Sequence, residues 1–314
     1  MASSDRTREL DVAALPPVPG PERPTGLLAF LRQGLARGEA PEMRPAVGLF
    51  TDVSLCIGCK ACEVACKEWN LLPSNPPEWR KGYDNTGCLS ATSWRHVKFV
   101  EDFGAPLPPR PVVPGMDLTA LLAEPKEGQW HFLSDSCKHC IEAPCNLACP
   151  TGAMIHTEFS TVIVQPDVCT GCGSCTSACP FGVVAQSSHD GHAHKCVLCY
   201  DRLRDDLEPA CAKSCPTRSI RFGPVESLRE EARARVQSLH ARGYGKARLW
   251  GAERSGTYSE THAFYLLLEE PELYGLPSRP VNPWIHLTGD YLRGAVGLLA
   301  AVALLAVAMG RMAP

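Results

Sequence analysis

The sequence predicts an α+β fold in which short strands and helices surround groups of cysteine residues. Two observations carry this prediction. Of the 314 residues, 17 are cysteine, and sixteen of these fall into four groups with related spacing. Hydrophobic residues make up 45% and charged residues 21% of the chain, a balance that supports globular folding. The length allows about two domains.

Composition also excludes several classes of protein. The formal net charge of -3 argues against a nucleic-acid binder, so we expect no nucleic-acid partner. The odd number of cysteines argues against a secreted scaffold in which every cysteine is paired in a disulfide. The chain is also long enough to form a core without disulfides. The cysteines are therefore expected to serve metal or redox chemistry.

The N-terminal segment, residues 1–48, carries no secretory signal and is rich in proline. Apolar residues between positions 27 and 35 recur at helical spacing and predict a short amphipathic helix in an extended arm. Two interpretations stay open. The arm packs on its own domain, or it lies on a partner subunit.

The four cysteine groups form an internal repeat. Each group opens with Cys-x-x-Cys and closes with Cys-x-x-x-Cys, and proline follows the last cysteine in three of the four. The groups are Cys56, Cys59, Cys62 and Cys66; Cys137, Cys140, Cys145 and Cys149; Cys169, Cys172, Cys175 and Cys179; and Cys196, Cys199, Cys211 and Cys215.

This spacing favours [4Fe–4S] clusters over zinc. A structural zinc site pairs two Cys-x-x-Cys knuckles across a longer loop, whereas the first and third groups place three cysteines within seven residues. Such a loop wraps one cluster, and the fourth cysteine ligates the neighbouring cluster. No group lacks a ligand, so the sequence predicts four [4Fe–4S] clusters. The remaining cysteine, Cys88, is interpreted as a free thiol.

A chain with four clusters and no other cofactor signature is expected to conduct electrons. The sequence has no phosphate-binding glycine loop and no nicotinamide fingerprint, so we predict no catalytic residue here and place the chemistry on another subunit. Lys60, Lys138 and Lys195 adjoin cluster cysteines and either raise cluster potentials or lie solvated at the surface. The histidines at 189, 192 and 194 fit a metal site less well than an exposed polar loop.

Near the C-terminus, residues 294–310 contain no charged or strongly polar side chain. Arg293 and Arg311 flank this run, and Trp284 and Tyr291 lie just upstream, where a membrane interface would be. The pattern predicts a single transmembrane helix, with a buried helix of a soluble protein as the alternative.

Several segments resemble one family. Residues 53–66 with Glu68-Trp69-Asn70, residues 83–85, Ala241-Arg242-Gly243-Tyr244 and the segment 271–277 are similar to the iron–sulfur β subunit of membrane-bound, molybdenum- or tungsten-dependent formate dehydrogenase. The resemblance runs from about residue 49 to the C-terminus. The cysteine groups alone are shared with β subunits of nitrate reductase and dimethyl sulfoxide reductase.

The resemblance implies a pairing that the spacing leaves open: the two middle groups pair with each other, and the first pairs with the last. It implies four ligand sets, which we call quartets. Quartet 1 is Cys56, Cys59, Cys62 and Cys215; quartet 2 is Cys66, Cys196, Cys199 and Cys211; quartet 3 is Cys137, Cys140, Cys145 and Cys179; and quartet 4 is Cys149, Cys169, Cys172 and Cys175.

We therefore expect two interleaved ferredoxin-like modules, each holding two clusters. The predicted domains are the arm 1–48, a first module formed by 49–136 and 181–222, an inserted module 137–180, a partner-docking region 223–289 and a membrane anchor 290–314. Local patterns predict a buried strand over Thr161–Val164, a helix over Val225–Arg242 and a strand over His262–Leu268.

The resemblance implies the electron-transfer subunit of a formate dehydrogenase complex. Electrons would pass from a molybdopterin catalytic α subunit through the clusters to a membrane cytochrome b γ subunit and quinone. The alternatives are the β subunit of another molybdopterin enzyme working in the reductase direction, and a soluble polyferredoxin or zinc protein. The arginines around the anchor weakly favour a cytoplasmic globule, whereas the resemblance implies the periplasmic face of the inner membrane, which we expect.

Overall fold

The computed structural model describes residues 44–74, 83–102, 128–254, 258, 260–282 and 287–312. The predicted amphipathic helix near residues 27–35 lies outside the described residues, as does Trp284.

The described chain contains ten strands and seven α-helices. The strands are β1, Val47–Asp52; β2, Arg95–Asp102; β3, Gln129–Ser136; β4, Met154–His156; β5, Val162–Val164; β6, Ala185–Gln186; β7, Ala193–His194; β8, Ile220–Pro224; β9, Arg248–Trp250; and β10, Ala263–Leu267. The helices are α1, Ala61–Trp69; α2, Pro144–Leu147; α3, Ser174–Ala178; α4, Tyr200–Arg204; α5, Ala210–Lys213; α6, Val225–Ala241; and α7, Leu287–Met312. This is the mixed helical and strand content that the sequence predicts.

A four-stranded sheet in the order β8-β1-β10-β9 joins distant parts of the chain. Strand β1 pairs in parallel with β10 and antiparallel with β8, so Phe50 lies opposite both Phe264 and Arg221. All five residues of β10 are buried. The sheet is therefore the centre of the core, and it ties the segment before the first cysteine group to segments after the fourth.

Helix α6 covers one side of this sheet. It follows Pro224, carries Glu226 in its first turn and ends before Gly243, whose φ of 93° suits glycine. Its buried Val225, Leu228 and other apolar residues pack with Phe50 and Phe264. The predicted helix over Val225–Arg242 is confirmed, with its end one residue earlier.

Two further predicted elements are found. The strand expected over His262–Leu268 is β10, and the strand expected over Thr161–Val164 is β5, which pairs antiparallel with β4. Strand β5 is only partly buried, because Ile163 and Val164 keep some exposure. The sequence did not predict the long antiparallel pair β2–β3, which runs from Arg95 opposite Ser136 to Asp102 opposite Gln129.

The C-terminal segment is helical, but the prediction of a transmembrane helix over 290–314 needs correction. Among the described residues, no helix combines the length and the apolar character needed to cross a membrane. The uncharged run between Arg293 and Arg311 has 17 residues, at the lower end of the range of about 17–25 residues for a spanning helix. On α7, Leu292 and Leu299 are exposed.

Candidate iron–sulfur cluster sites

The four cysteines of quartet 1 line one cavity beside Val97, Ile220 and the start of α1. Gly58 lies inside this loop with a φ of 67°, and a Cβ there would be 2.8 Å from the ring of Phe132. Glycine is needed at this position because the left-handed conformation and the close ring leave no room for a side chain. The loop thus folds tightly enough for its cysteines to face the same cavity.

The four cysteines of quartet 3 line a second cavity. Lys138, Phe181 and Tyr258 are among the other residues that line it. The hydroxyl of the buried Tyr258 donates a hydrogen bond to Cys140 Sγ at 3.0 Å. Burial, followed by the neighbouring Cys140, raises the pKa of Tyr258, so this hydroxyl keeps its proton and stays a donor.

Quartet 4 lines a third cavity. A Cβ on Gly171, at a φ of 70°, would collide with the carbonyl oxygen of Gly191. Among these four cysteines Cys172 is exposed and Cys175 is buried. One edge of this site therefore reaches the protein surface.

The cysteines of quartet 2 are all buried. Cys66 on α1 interacts electrostatically with the other three, Cys196, Cys211 and Cys199. The structure thus brings each of the sixteen predicted cysteines together with the other members of its quartet. That the quartets ligate iron stays a prediction.

Burial sets the acidity of the inner thiols. It raises the pKa of Cys62 and of Cys196 to about 12 and that of Cys199 to about 11. A hydrogen bond with Ser174 instead lowers the pKa of the exposed Cys172. Thiolates are the form that binds metal, so occupation of the inner quartets must displace tightly held protons.

Backbone N–H groups point at several of these sulfurs. Leu198 N donates to Cys196 Sγ at 3.4 Å, His139 N to Cys137 Sγ at 3.5 Å and Ala193 N to Cys169 Sγ at 3.5 Å. Such donors stabilise negative charge on a ligand sulfur. Four thiols around one cavity, with backbone donors at the sulfurs, fit the ligand set of a [4Fe–4S] cluster.

For the lysines beside cluster cysteines, the sequence left open whether they raise cluster potentials or lie solvated at the surface. Lys138 and Lys195 are each only 1% exposed, so solvation at the surface is excluded for both. The sequence missed Arg95, which is buried at the start of β2. Arg95 opens a strand that mixes charged and apolar residues, and no cysteine is adjacent to it in the sequence. Cysteine spacing therefore could not identify it.

The histidine-rich loop is a polar loop. His194 Nε2 lies 2.8 Å from Asp190 Oδ2, and the His194 ring stacks on Trp94. Across the part of the chain that the structure describes, no three His, Cys, Asp or Glu side chains are grouped to hold a single metal ion.

Comparison with known proteins agrees with the grouping of the cysteines into cluster sites. Residues 55–153 and residues 128–225 each match a protein family described as 4Fe-4S dicluster domain. The iron–sulfur subunit of the nitrate-inducible formate dehydrogenase of Escherichia coli K12 is 36% identical over 273 residues, which is 86% of this chain and 84% of that protein. The formate dehydrogenase iron–sulfur subunit of Haemophilus influenzae is 36% identical over 280 residues, 88% of this chain and 81% of that protein.

The chain belongs to the family of formate dehydrogenase iron–sulfur subunits.

A subunit of the anaerobic dimethyl sulfoxide reductase of Escherichia coli K12 is also 36% identical, but over 197 residues, 60% of this chain and 78% of that protein. The formate dehydrogenase subunits thus match a larger share of this chain at the same identity. The resemblance drawn from Glu68-Trp69-Asn70 and the other segments is confirmed at the level of the family. For a formate dehydrogenase iron–sulfur subunit with 4Fe-4S dicluster domains, electron transfer is the function.

Proposed function

We propose that this chain relays electrons within a formate dehydrogenase complex, through four [4Fe–4S] clusters held by quartets 1 to 4. The observation that carries the proposal is the similarity to formate dehydrogenase subunits over 86% of the chain, against 60% for the dimethyl sulfoxide reductase subunit. The three cavities, each lined by the four cysteines of one quartet, support the cluster sets.

The arrangement of the quartets supports a linear path. Cysteines of successive quartets interact electrostatically: Cys62 with Cys211, Cys196 with Cys137, and Cys145 with Cys175. The order is therefore quartet 1, 2, 3, 4. Cys59 in quartet 1 and Cys172 in quartet 4 are exposed, so the two ends of the path are the places where a donor and an acceptor subunit would approach.

The proposed reaction balances across the complex. A molybdopterin catalytic subunit oxidises formate to carbon dioxide, releasing one proton and two electrons. The electrons cross this chain one at a time, since an iron–sulfur cluster changes by a single electron. A membrane cytochrome b subunit passes two electrons and two protons to quinone, which becomes quinol. This chain's own residues hold the clusters and set their potentials.

The proposed organisation follows the sequence: a first module of 49–136 and 181–222, an inserted module 137–180 and a docking region 223–289. We place the complex at the periplasmic face of the inner membrane, with the cytochrome b subunit as the integral partner.

The second candidate is a β subunit that carries electrons toward a molybdopterin reductase, and the 36% identity to the dimethyl sulfoxide reductase subunit favours it over other classes.

The proposal is tested on the purified complex. We expect about sixteen iron and sixteen sulfide per chain, and cluster reduction by formate but not by dimethyl sulfide. Cys199→Ser should abolish quinone reduction while dye reduction by the catalytic subunit continues. Cys88→Ser, which changes an exposed cysteine outside every quartet, is the matched control and should leave quinone reduction unchanged. Bound zinc without sulfide, or normal quinone reduction in Cys199→Ser, contradicts the proposal.

A further inference from the structure

We propose that Arg95 provides a positive charge shared by quartets 1 and 2, and that this charge raises the reduction potentials of the two clusters there. The inference rests on the proposed function, because it requires clusters in both quartets. Arg95 opens β2 and is 3% exposed. It lies in the interior, although no cysteine is adjacent to it in the sequence.

Hydrogen bonds fix the guanidinium group beside quartet 1. Arg95 Nη1 donates to Ser134 Oγ at 2.9 Å, and Nη2 donates to Ser136 Oγ at 3.2 Å. Ser134 Oγ lies 3.2 Å from Cys62 Sγ, so a single hydroxyl separates the arginine from a quartet 1 sulfur. The antiparallel pairing of β2 with β3 sets this geometry, since Arg95 lies opposite Ser136.

The charge of the same guanidinium also acts on quartet 2. Arg95 interacts electrostatically with Cys211, Cys196 and Cys66, as well as with Cys62 of quartet 1. Three of the four cysteines of quartet 2 thus act electrostatically on this guanidinium. Arg95 lies at the junction between the first two clusters of the proposed path.

Arg95 has no carboxylate partner among the described residues; its hydrogen bonds go to serine oxygens. Lys138 shows the contrast, because Asp135 neutralises that lysine inside the core. A buried cation without an anion is strongly unfavourable. Thiolate-bound clusters supply the missing negative charge, which gives the unpaired guanidinium a physical reason to be there.

A guanidinium stays charged at any working pH, so its effect is constant. Adding an electron to a cluster increases its negative charge, and a cation held nearby in a low-dielectric interior stabilises that reduced state. Arg95 therefore favours reduction at quartets 1 and 2 over reduction at quartet 4. It acts as a positioning and tuning residue and takes no electron itself.

The test is a redox titration of the purified complex, followed by electron paramagnetic resonance, for the wild type, Arg95→Gln and Arg95→Lys. In Arg95→Gln, two of the four cluster potentials should fall and two should stay in place. In Arg95→Lys, which keeps the charge, all four should lie near the wild-type values. Arg229→Gln is the matched control: Arg229 is also buried, but it is paired with Glu226 and Glu260, and its loss should move no potential.

Four unchanged potentials in an Arg95→Gln complex with full iron content overturn the inference, and so does an equal shift of all four. If Arg95→Gln does not assemble, Arg95→Lys decides the question. If Arg95→Lys keeps every cluster at wild-type potentials, the result supports a role of the charge. If it loses clusters, the shape of the guanidinium matters instead, and the inference is overturned. A wild-type complex without reducible clusters would be a failure of the proposed function itself.

Discussion

At the scale of single residues, the buried Asp135 pairs with two lysines, the fully buried Lys138 and the partly buried Lys98. Its carboxylate pairs with Lys138 and, at 3.0 Å, with Lys98, and it accepts a hydrogen bond from the hydroxyl of Tyr265 at 3.1 Å. Lys138 Nζ also donates to Ser136 O at 2.8 Å and lies over the ring of Tyr265. This network links β3 to β10 beside quartet 3, so it fixes the backbone from which Cys137 and Cys140 project.

We predict that Asp135→Asn lowers the free energy of unfolding of the holoprotein by about 3–5 kcal/mol, because it leaves the Lys138 ammonium buried without an anion. Denaturant unfolding of the wild type and the variant measures this difference. Asp206→Asn makes the same chemical change in an exposed pair with Arg44 and should cost less than about 1 kcal/mol. Equally small losses of unfolding free energy in the two variants would show that the buried network adds little to the stability of the fold.

The pH dependence of that difference follows from the direction of the Asp135 shift. Burial alone would raise the pKa of Asp135, but Lys138 and Lys98 lower it far below its usual value. A carboxylate with a depressed pKa stabilises the fold above its unfolded pKa of about 3.9 and loses that stabilisation as pH falls further. The gap between the wild type and Asp135→Asn should therefore stay constant from about pH 8 to about pH 5. A gap that shrinks within this range contradicts the assignment.

The lysines also show what local sequence reasoning can reach. Proximity to a cysteine along the chain identified Lys138 and Lys195 as possible modulators of potential, since adjacent residues must lie near the same cluster. Their burial depends on partners far away in the sequence, such as Tyr265, which lies 127 positions after Lys138. Spacing carries no information on such contacts, and for the same reason it missed Arg95.

At the scale of elements, the approach of β1 to the start of β10 depends on Gly48. A Cβ at this position would collide with the carbonyl oxygen of His262, which accepts the hydrogen bond of Leu49 N at 2.7 Å. The two strands are parallel neighbours in the centre of the sheet, so neither backbone can move without disturbing the core.

Gly48→Ala is therefore expected to lower the free energy of unfolding by about 1–3 kcal/mol through a forced backbone shift. Gly223→Ala is the matched control in the same sheet, because a Cβ there would be 3.9 Å from Leu228 and meets ordinary contact. The control should change stability by no more than about 0.5 kcal/mol. Thermal unfolding of both variants, followed by circular dichroism, makes the comparison. A neutral Gly48→Ala would mean that β1 and β10 separate easily.

Element prediction succeeded where the pattern was local. The apolar face of α6, Glu226 in its first turn and Gly243 after its end are signals carried by nearby residues, and the helix was predicted to within one residue. The pair β2–β3 was missed because its strands are separated by residues 103–128 and mix charged with apolar side chains. The order of the central sheet depends on pairing between β1 and β10, more than 200 residues apart. No local pattern encodes that pairing.

At the scale of the whole molecule, the quartets join segments that are distant in the sequence. Quartet 1 combines Cys62 on α1 with Cys215, which follows α5. Cysteine spacing predicted the groups, but it left open which groups pair; the family resemblance supplied the pairing, and the cavities lined by whole quartets support it. A cluster bound by quartet 1 would crosslink parts of the chain about 150 residues apart, so we expect cluster binding and folding to be coupled.

Removal of the clusters should therefore unfold the chain. A crosslink that closes a loop of about 100 residues stabilises a fold by about 4–5 kcal/mol through the entropy of the unfolded chain. Loss of several such links is comparable to the roughly 5–15 kcal/mol that stabilises a typical domain. We expect oxidative removal of iron under chelation to abolish the cooperative thermal transition and to open the backbone to protease throughout the two cysteine-rich modules.

Reconstitution of the chelated chain with iron and sulfide under reducing conditions should restore that transition, because the unfolded chain still carries every ligand of the four quartets. Recovery of this kind separates cluster loss from irreversible damage. Cys88→Ser should lose and regain the transition in the same way, since its exposed thiol lies outside every quartet. A chelated chain that still unfolds cooperatively near the holoprotein midpoint would show that the core between the quartets is stable without its clusters.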